Sequence, residues 1–134
     1  MKKRKIILGL LTTLSVVSLF SVVVKSQTIG YSMQMPKTGS IDSGYATKSD
    51  TENMAYNTVD YLGWVGSSDT FKWWVVNPNG TQISESHTFC STGRFKQPYK
   101  NNNNKYYVGW NLKLRMKTGA TTYHPCDVNG RFTP

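Results

Sequence analysis

Residues 111–119, NLKLRMKTG, alternate strictly: Leu112, Leu114 and Met116 fall on one side, Lys113, Arg115 and Lys117 on the other. Successive strand side chains point to opposite faces, so this period of two marks a strand with one buried face. FKWWVV, residues 71–76, follows the same rule with heavier groups. Phe71, Trp73 and Val75 share one face, and Lys72, Trp74 and Val76 share the other. The first set suits a core. The second leaves Trp74 to be covered by a loop or to stand as an exposed aromatic contact.

The rest of the chain supports the same class. Residues 27–35 alternate through Ile29, Tyr31, Met33 and Met35, and Pro36 ends the run. Asn77-Pro78-Asn79-Gly80 carries turn chemistry, with proline presetting one φ and glycine allowing a positive one. The asparagine run 101–104 favours turns over any regular ladder. Residues 36–54 are polar and rich in Gly, Ser and Thr, which reads as a loop or linker. No window past residue 26 shows a 3.6-residue apolar period. The expectation is an all-β chain: a small antiparallel β-sandwich of about six or seven strands with one disulfide. Its expected organisation is a helical signal peptide over 1–26, a first strand and polar linker over 27–54, and the sandwich body over 55–134.

The N-terminus sets the compartment. MKKRK is followed by the charge-free run Ile6–Val24, with Val24 and Ser26 at the small-residue spacing of a signal-peptidase site before Gln27. This is the pattern of a secretory leader, and the expected product is extracellular. The alternative is a retained anchor, because a span needs about 20 apolar residues. Thr12, Thr13, Ser15, Ser18 and Ser21 weaken the run in that role. Loss of 1–26 removes five of the 16 basic residues, leaving eleven against seven acids. The remainder is uneven. Residues 27–85 hold three lysines and six acids, whereas residues 86–134 hold eight basic residues and only Asp127.

In an oxidising exterior the two cysteines, Cys90 and Cys126, have one possible pairing and are expected to bridge. Such a bridge would contribute about 3–4 kcal/mol on the chain-entropy model. His87 with Cys90 and His124 with Cys126 also form a permissible zinc set. The i,i+3 spacing of His87 and Cys90 on a strand argues against it, so neither metal nor cofactor is expected. Two histidines and seven scattered carboxylates, without a nucleophile-elbow, zincin or phosphate-loop motif, indicate no enzyme.

The candidate binding residues are basic and aromatic. Arg94, Lys96, Lys100, Lys105, Lys113, Arg115 and Lys117 fall within 24 residues, interleaved with Phe95, Tyr99, Tyr106, Tyr107 and Trp110. Nucleic-acid surfaces share this composition. For an exported chain the expected anions are instead envelope polymers and lipid headgroups, which a cationic face attracts at range. Outward lysines also blunt sheet edges, so part of the charge serves solubility. Four tryptophans and eight tyrosines offer stacking surfaces for sugar rings as well.

Over residues 51–134 the chain resembles a poorly characterised family of small secreted Gram-positive proteins encoded beside bacteriocin-type transporters. FKWWVVNPNGTQIS, then KYY, LKLRMKTG and the closing VNGRFTP carry the likeness. Asn129 stands in the place of the family's Ser, and Phe132 in that of its Trp. The layout is also similar to the lactococcin type of β-sandwich bacteriocin. The resemblance implies export and a β-rich body, and it assigns no active residues. The expected function is envelope binding by a bacteriocin-like or bacteriocin-system protein, through Trp74, Arg94, Lys96, Lys113, Arg115 and Lys117. The alternatives are a non-toxic carbohydrate- or wall-binding module and a membrane-anchored immunity or signalling protein.

Overall fold

The structure, a computed structural model, describes residues 25–100 and 106–134. The leader read over 1–26 lies outside the described residues apart from Lys25 and Ser26, as does the asparagine run. Eight strands follow in order: β1 (Ile29–Met35), β2 (Ile41–Thr47), β3 (Ala55–Gly63), β4 (Phe71–Val76), β5 (His87–Phe89), β6 (Gly93–Gln97), β7 (Asn111–Thr118) and β8 (Cys126–Thr133). They form two four-stranded sheets, ordered β1-β8-β3-β6 and β2-β7-β4-β5. Every pairing is antiparallel.

One core lies between the sheets, giving a sandwich-like body. Phe71, Trp73 and Val75 of β4 and Leu112, Leu114 and Met116 of β7 are all fully buried. They meet Tyr31 and Met35 of β1, Val59 of β3, and Val128 and Phe132 of β8 in a single cluster. The alternation in β4 and β7 therefore assigns the faces as the sequence suggests. Inside the core, Tyr31 donates to Asn57 Oδ1 at 2.6 Å, which satisfies a fully buried amide oxygen.

Two expectations are corrected. The segment 36–54 is not all loop, because β2 forms within it and pairs with β7. Its sequence, IDSGYAT, lacks apolar alternation, and a register shift between Asp42 and Tyr45 breaks the period. Ser43 fills that irregularity by accepting the Leu114 N–H at 3.0 Å. With β2 included, the described residues hold eight strands, where about six or seven are expected.

The expected Cys90–Cys126 disulfide is absent: both thiols are free. Cys90 is exposed just beyond β5, the edge strand of one sheet. Cys126 is buried at the first residue of β8, an inner strand of the other. The two sulfurs belong to different sheets and different environments, which chain spacing does not reveal.

The start of the described chain is tied into the body. Ser26 is buried, and its N–H donates to Asp50 Oδ2 at 3.1 Å. Its Oγ accepts from the backbone of Ser49 and Asp50 at 3.0 and 3.4 Å. Asp50 in turn holds the buried ammonium of Lys48 at 2.5 Å.

Candidate functional site

The outer face of the β2-β7-β4-β5 sheet gathers four of the sequence's candidate residues. Because Leu112, Leu114 and Met116 point inward, Lys113, Arg115 and Lys117 stand outward with Lys72 and Trp74 of β4. The register fixes three rows. Tyr45, Lys113 and Val76 are opposite one another, then Asp42, Arg115 and Trp74, then Lys117 and Lys72.

These cations are not equivalent. Arg115 is spent on Asp42: Nε donates to Oδ1 at 2.6 Å and Nη2 to Oδ2 at 2.9 Å. The Arg115 hydrogen bonds and charge outweigh partial burial and hold the Asp42 carboxyl below its usual range. A third guanidinium contact reaches the Gly80 carbonyl at 3.4 Å, so the Asn77–Gly80 turn folds back toward this row. Lys113 Nζ lies 4.4 Å from the centroid of the Tyr45 ring, a cation–π contact. Lys72 and Lys117 directly face each other across the ladder, and neither has an ion-pair partner among the described residues. Like charges opposed in this way destabilise a sheet.

Arg94 and Lys96 do not join this surface. They project from β6 in the other sheet, on the opposite outer face of the sandwich. Arg94 covers the Tyr56 ring at 4.3 Å. It borders a groove of about 850 Å³ lined also by Lys25, Asp50 and Glu52, where the charges are mixed. The basic stripe, continuous in sequence, is thus divided between two faces, because β6 and β7 belong to different sheets.

Trp74 is half-buried beside Arg115, a weaker aromatic contact than expected. Among the described residues the most exposed aromatics are Trp64 and Tyr123, at 80% and 76%, and neither stands among the sequence's candidates. Both sit in loops, where strand periodicity gives no signal. Trp64 adopts φ 60°, a conformation that bulky side chains rarely take. Lys100 is exposed and its N–H is used by Ile83, whereas Lys105 lies outside the described residues.

The cysteines and histidines also separate. His87 stacks on Phe95 with centroids 5.2 Å apart, beside β6. His124 and Cys126 stay together, with Sγ 3.6 Å from Nδ1, and Cys126 donates to the Trp64 carbonyl at 3.3 Å. Burial, then the nearby charge of Asp69, pushes the Cys126 thiol up, so it stands as S–H. No family model matches the chain, and no curated protein matches it.

Proposed function

We propose that the protein binds an anionic component of the Gram-positive envelope through the outer face of the β2-β7-β4-β5 sheet, as an exported, bacteriocin-like or bacteriocin-system protein. The observation that carries this reading is the pair of opposed lysines, half-buried Lys72 and exposed Lys117, with Lys113 on the same face. A sheet with no anionic partner gains nothing from like charges across a ladder. Trp74 and Tyr45 give the face aromatic contact area beside the charges. The leader-like N-terminus and the resemblance to secreted Gram-positive proteins support the compartment.

The mechanism is attraction followed by contact. Lysines near an anionic surface are each worth about 1 kcal/mol, and the effect decays within a Debye length. Replacing Lys72, Lys113 and Lys117 together by Gln should therefore weaken low-salt binding to Gram-positive cells by roughly 100-fold. Binding of the unmodified chain should fall as NaCl is raised. The Arg94→Gln/Lys96→Gln pair, on the other face, should bind like the unmodified chain. Equal binding by the triple variant removes the electrostatic mechanism.

A non-toxic wall-carbohydrate module is the second reading, favoured by the exposure of Trp64 and Tyr123 at one end of the sandwich. A glycan pull-down that fails with Trp64→Ala and Tyr123→Ala, yet survives the triple lysine variant, selects it.

A further inference from the structure

The structure assigns a second site that the envelope-binding reading does not use. We propose that Asp69, His124 and Cys126 bind one borderline-soft divalent cation, with zinc the best match.

The site is assembled by two loops, one between β3 and β4 and one between β7 and β8. Thr122 locks them together: its Oγ1 accepts from the Thr70 N–H at 3.1 Å and donates to the Thr70 carbonyl at 3.0 Å. Gly119 adds a backbone bond to the same carbonyl at 2.6 Å, and Thr121 Oγ1 donates to the Ser68 carbonyl at 2.8 Å. The fit leaves no slack, since a Cβ at Gly119 would meet Thr70 Oγ1 at 2.0 Å. Such cross-bracing holds the two loops in fixed register, so that only the donor side chains adjust on binding.

The donors are an oxygen, a nitrogen and a sulfur, all within 4.8 Å of one another. Three protein ligands with an open fourth position is the composition of an accessible zinc site, and carboxylate, imidazole and thiolate are all zinc ligands. Tetrahedral bonds of about 2.3 Å to sulfur and about 2.0 Å to nitrogen place those atoms roughly 3.6 Å apart. Cys126 Sγ stands 3.6 Å from His124 Nδ1, whereas Asp69 Oδ2 lies 3.0 Å from Nε2, so the half-exposed ring turns to present one nitrogen to the ion. His124 is the exposed member, at 47%, and gives the entry side, while Asp69 and Cys126 are buried behind it.

The charge balance supplies an independent reason. Asp42 and Asp60 each pair with arginine and Asp50 pairs with lysine, which are permanent cations. Asp69 is more buried than any of these, yet its ion-pair partner is an imidazole, a cation only when protonated. The Gly66 N–H at 2.6 Å and the Thr122 hydroxyl also support it, and together with His124 they hold its carboxyl below the usual range. A buried carboxylate calls for a compensating charge. A divalent ion, with the Cys126 proton released to solvent, makes the Asp–thiolate–cation set neutral. Seating it replaces the hydrogen bond between His124 Nε2 and Asp69, which is 3.0 Å long, by metal bonds. The thiol's bond to the Trp64 carbonyl is exchanged in the same step.

The test uses the purified chain carrying Cys90→Ser, so that Cys126 is the sole thiol. Co2+ should bind one per chain and give a near-ultraviolet thiolate-to-cobalt charge-transfer band, which Zn2+ abolishes by displacement. Zn2+ should raise the thermal midpoint and protect Cys126 from alkylation in urea below the unfolding transition. His124→Ala, checked for a native circular-dichroism spectrum because it also removes the partner of Asp69, should lose the band and the thermal shift. Asp69→Asn should bind at least about tenfold more weakly. Cobalt binding without the band, equal binding by His124→Ala, or no binding at all overturns the site. None of these outcomes bears on the lysine face, so the two proposals fail separately.

Discussion

A methyl group added at position 130 has no room. Gly130 lies on β8 between β1 and β3, and a Cβ there would meet the Thr58 carbonyl at 2.1 Å and the Tyr31 hydroxyl at 2.5 Å. The first obstacle is backbone and cannot turn aside. Gly130→Ala should therefore cost about 3 kcal/mol or more, the upper range for overpacking, read from the urea midpoint. Gly30→Ala is the control, since its Cβ would approach the Gly130 carbonyl only to 3.9 Å, an ordinary contact. The Asp42–Arg115 pair makes a second prediction at this scale. Arg115 depresses the Asp42 pKa from 3.8, so the pair's stability is fully present above that value in the folded chain. It is lost as pH falls below about 3.8 through the lower folded value. Asp42→Asn should be less stable than the unmodified chain at pH 7, and the gap should close as pH falls below 4. Paired urea titrations across that range check it, and a pH-independent gap refutes it.

Elements differ in how openly the sequence announces them. β4 and β7 could be read directly, because each places bulky apolar groups at alternate positions facing the core, with a basic row on the other face of β7. β2 could not, since its buried face consists of Ser43 and Ala46 and its register is broken. The site residues divide in the same way. Lys113, Arg115 and Lys117 were legible as one outward row. That Arg115 is engaged by Asp42 was not, because the acid sits 73 residues away on the strand that the sequence conceals. The Asp69–His124–Cys126 cluster was half legible, as His-x-Cys. Its carboxylate comes from another loop, and only the fold supplies it. The N-terminal tie carries its own prediction. Burial raises the Asp50 carboxyl, but hydrogen bonds from Lys48 and Ser26 outweigh it and bring the pKa below normal. A chain beginning at Gln27 lacks the Ser26 bonds, each worth about 1 kcal/mol. It should unfold at lower urea than a chain beginning at Lys25, by about 1–2 kcal/mol. Ser26→Ala in the longer chain should lose part of that difference, and identical midpoints for all three would show that the tie is dispensable.

At the scale of the molecule, the charge that runs along one stretch of sequence is sorted by topology onto two faces, and only one of them is dominated by unpaired cations. On the β6 side Arg94 sits over Tyr56, and Glu52 receives the Tyr56 hydroxyl, so positive and negative groups are mixed. On the β7 side Lys72 and Lys117 repel each other across the ladder without an acid to separate them. Stability and the proposed envelope binding therefore pull this pair in opposite directions. Lys117→Glu turns the repulsion into a cross-strand ion pair with Lys72, and such an exchange is worth about 0.2–1 kcal/mol. The variant should unfold at higher urea than the unmodified chain in low salt, and the gain should shrink in 1 M NaCl, where the Debye length is about 3 Å. The same variant should bind Gram-positive cells less well, because the face has lost two units of positive charge. A stability gain with undiminished binding would assign the lysines to solubility alone and move the search for the contact surface to the aromatic loops at Trp64 and Tyr123.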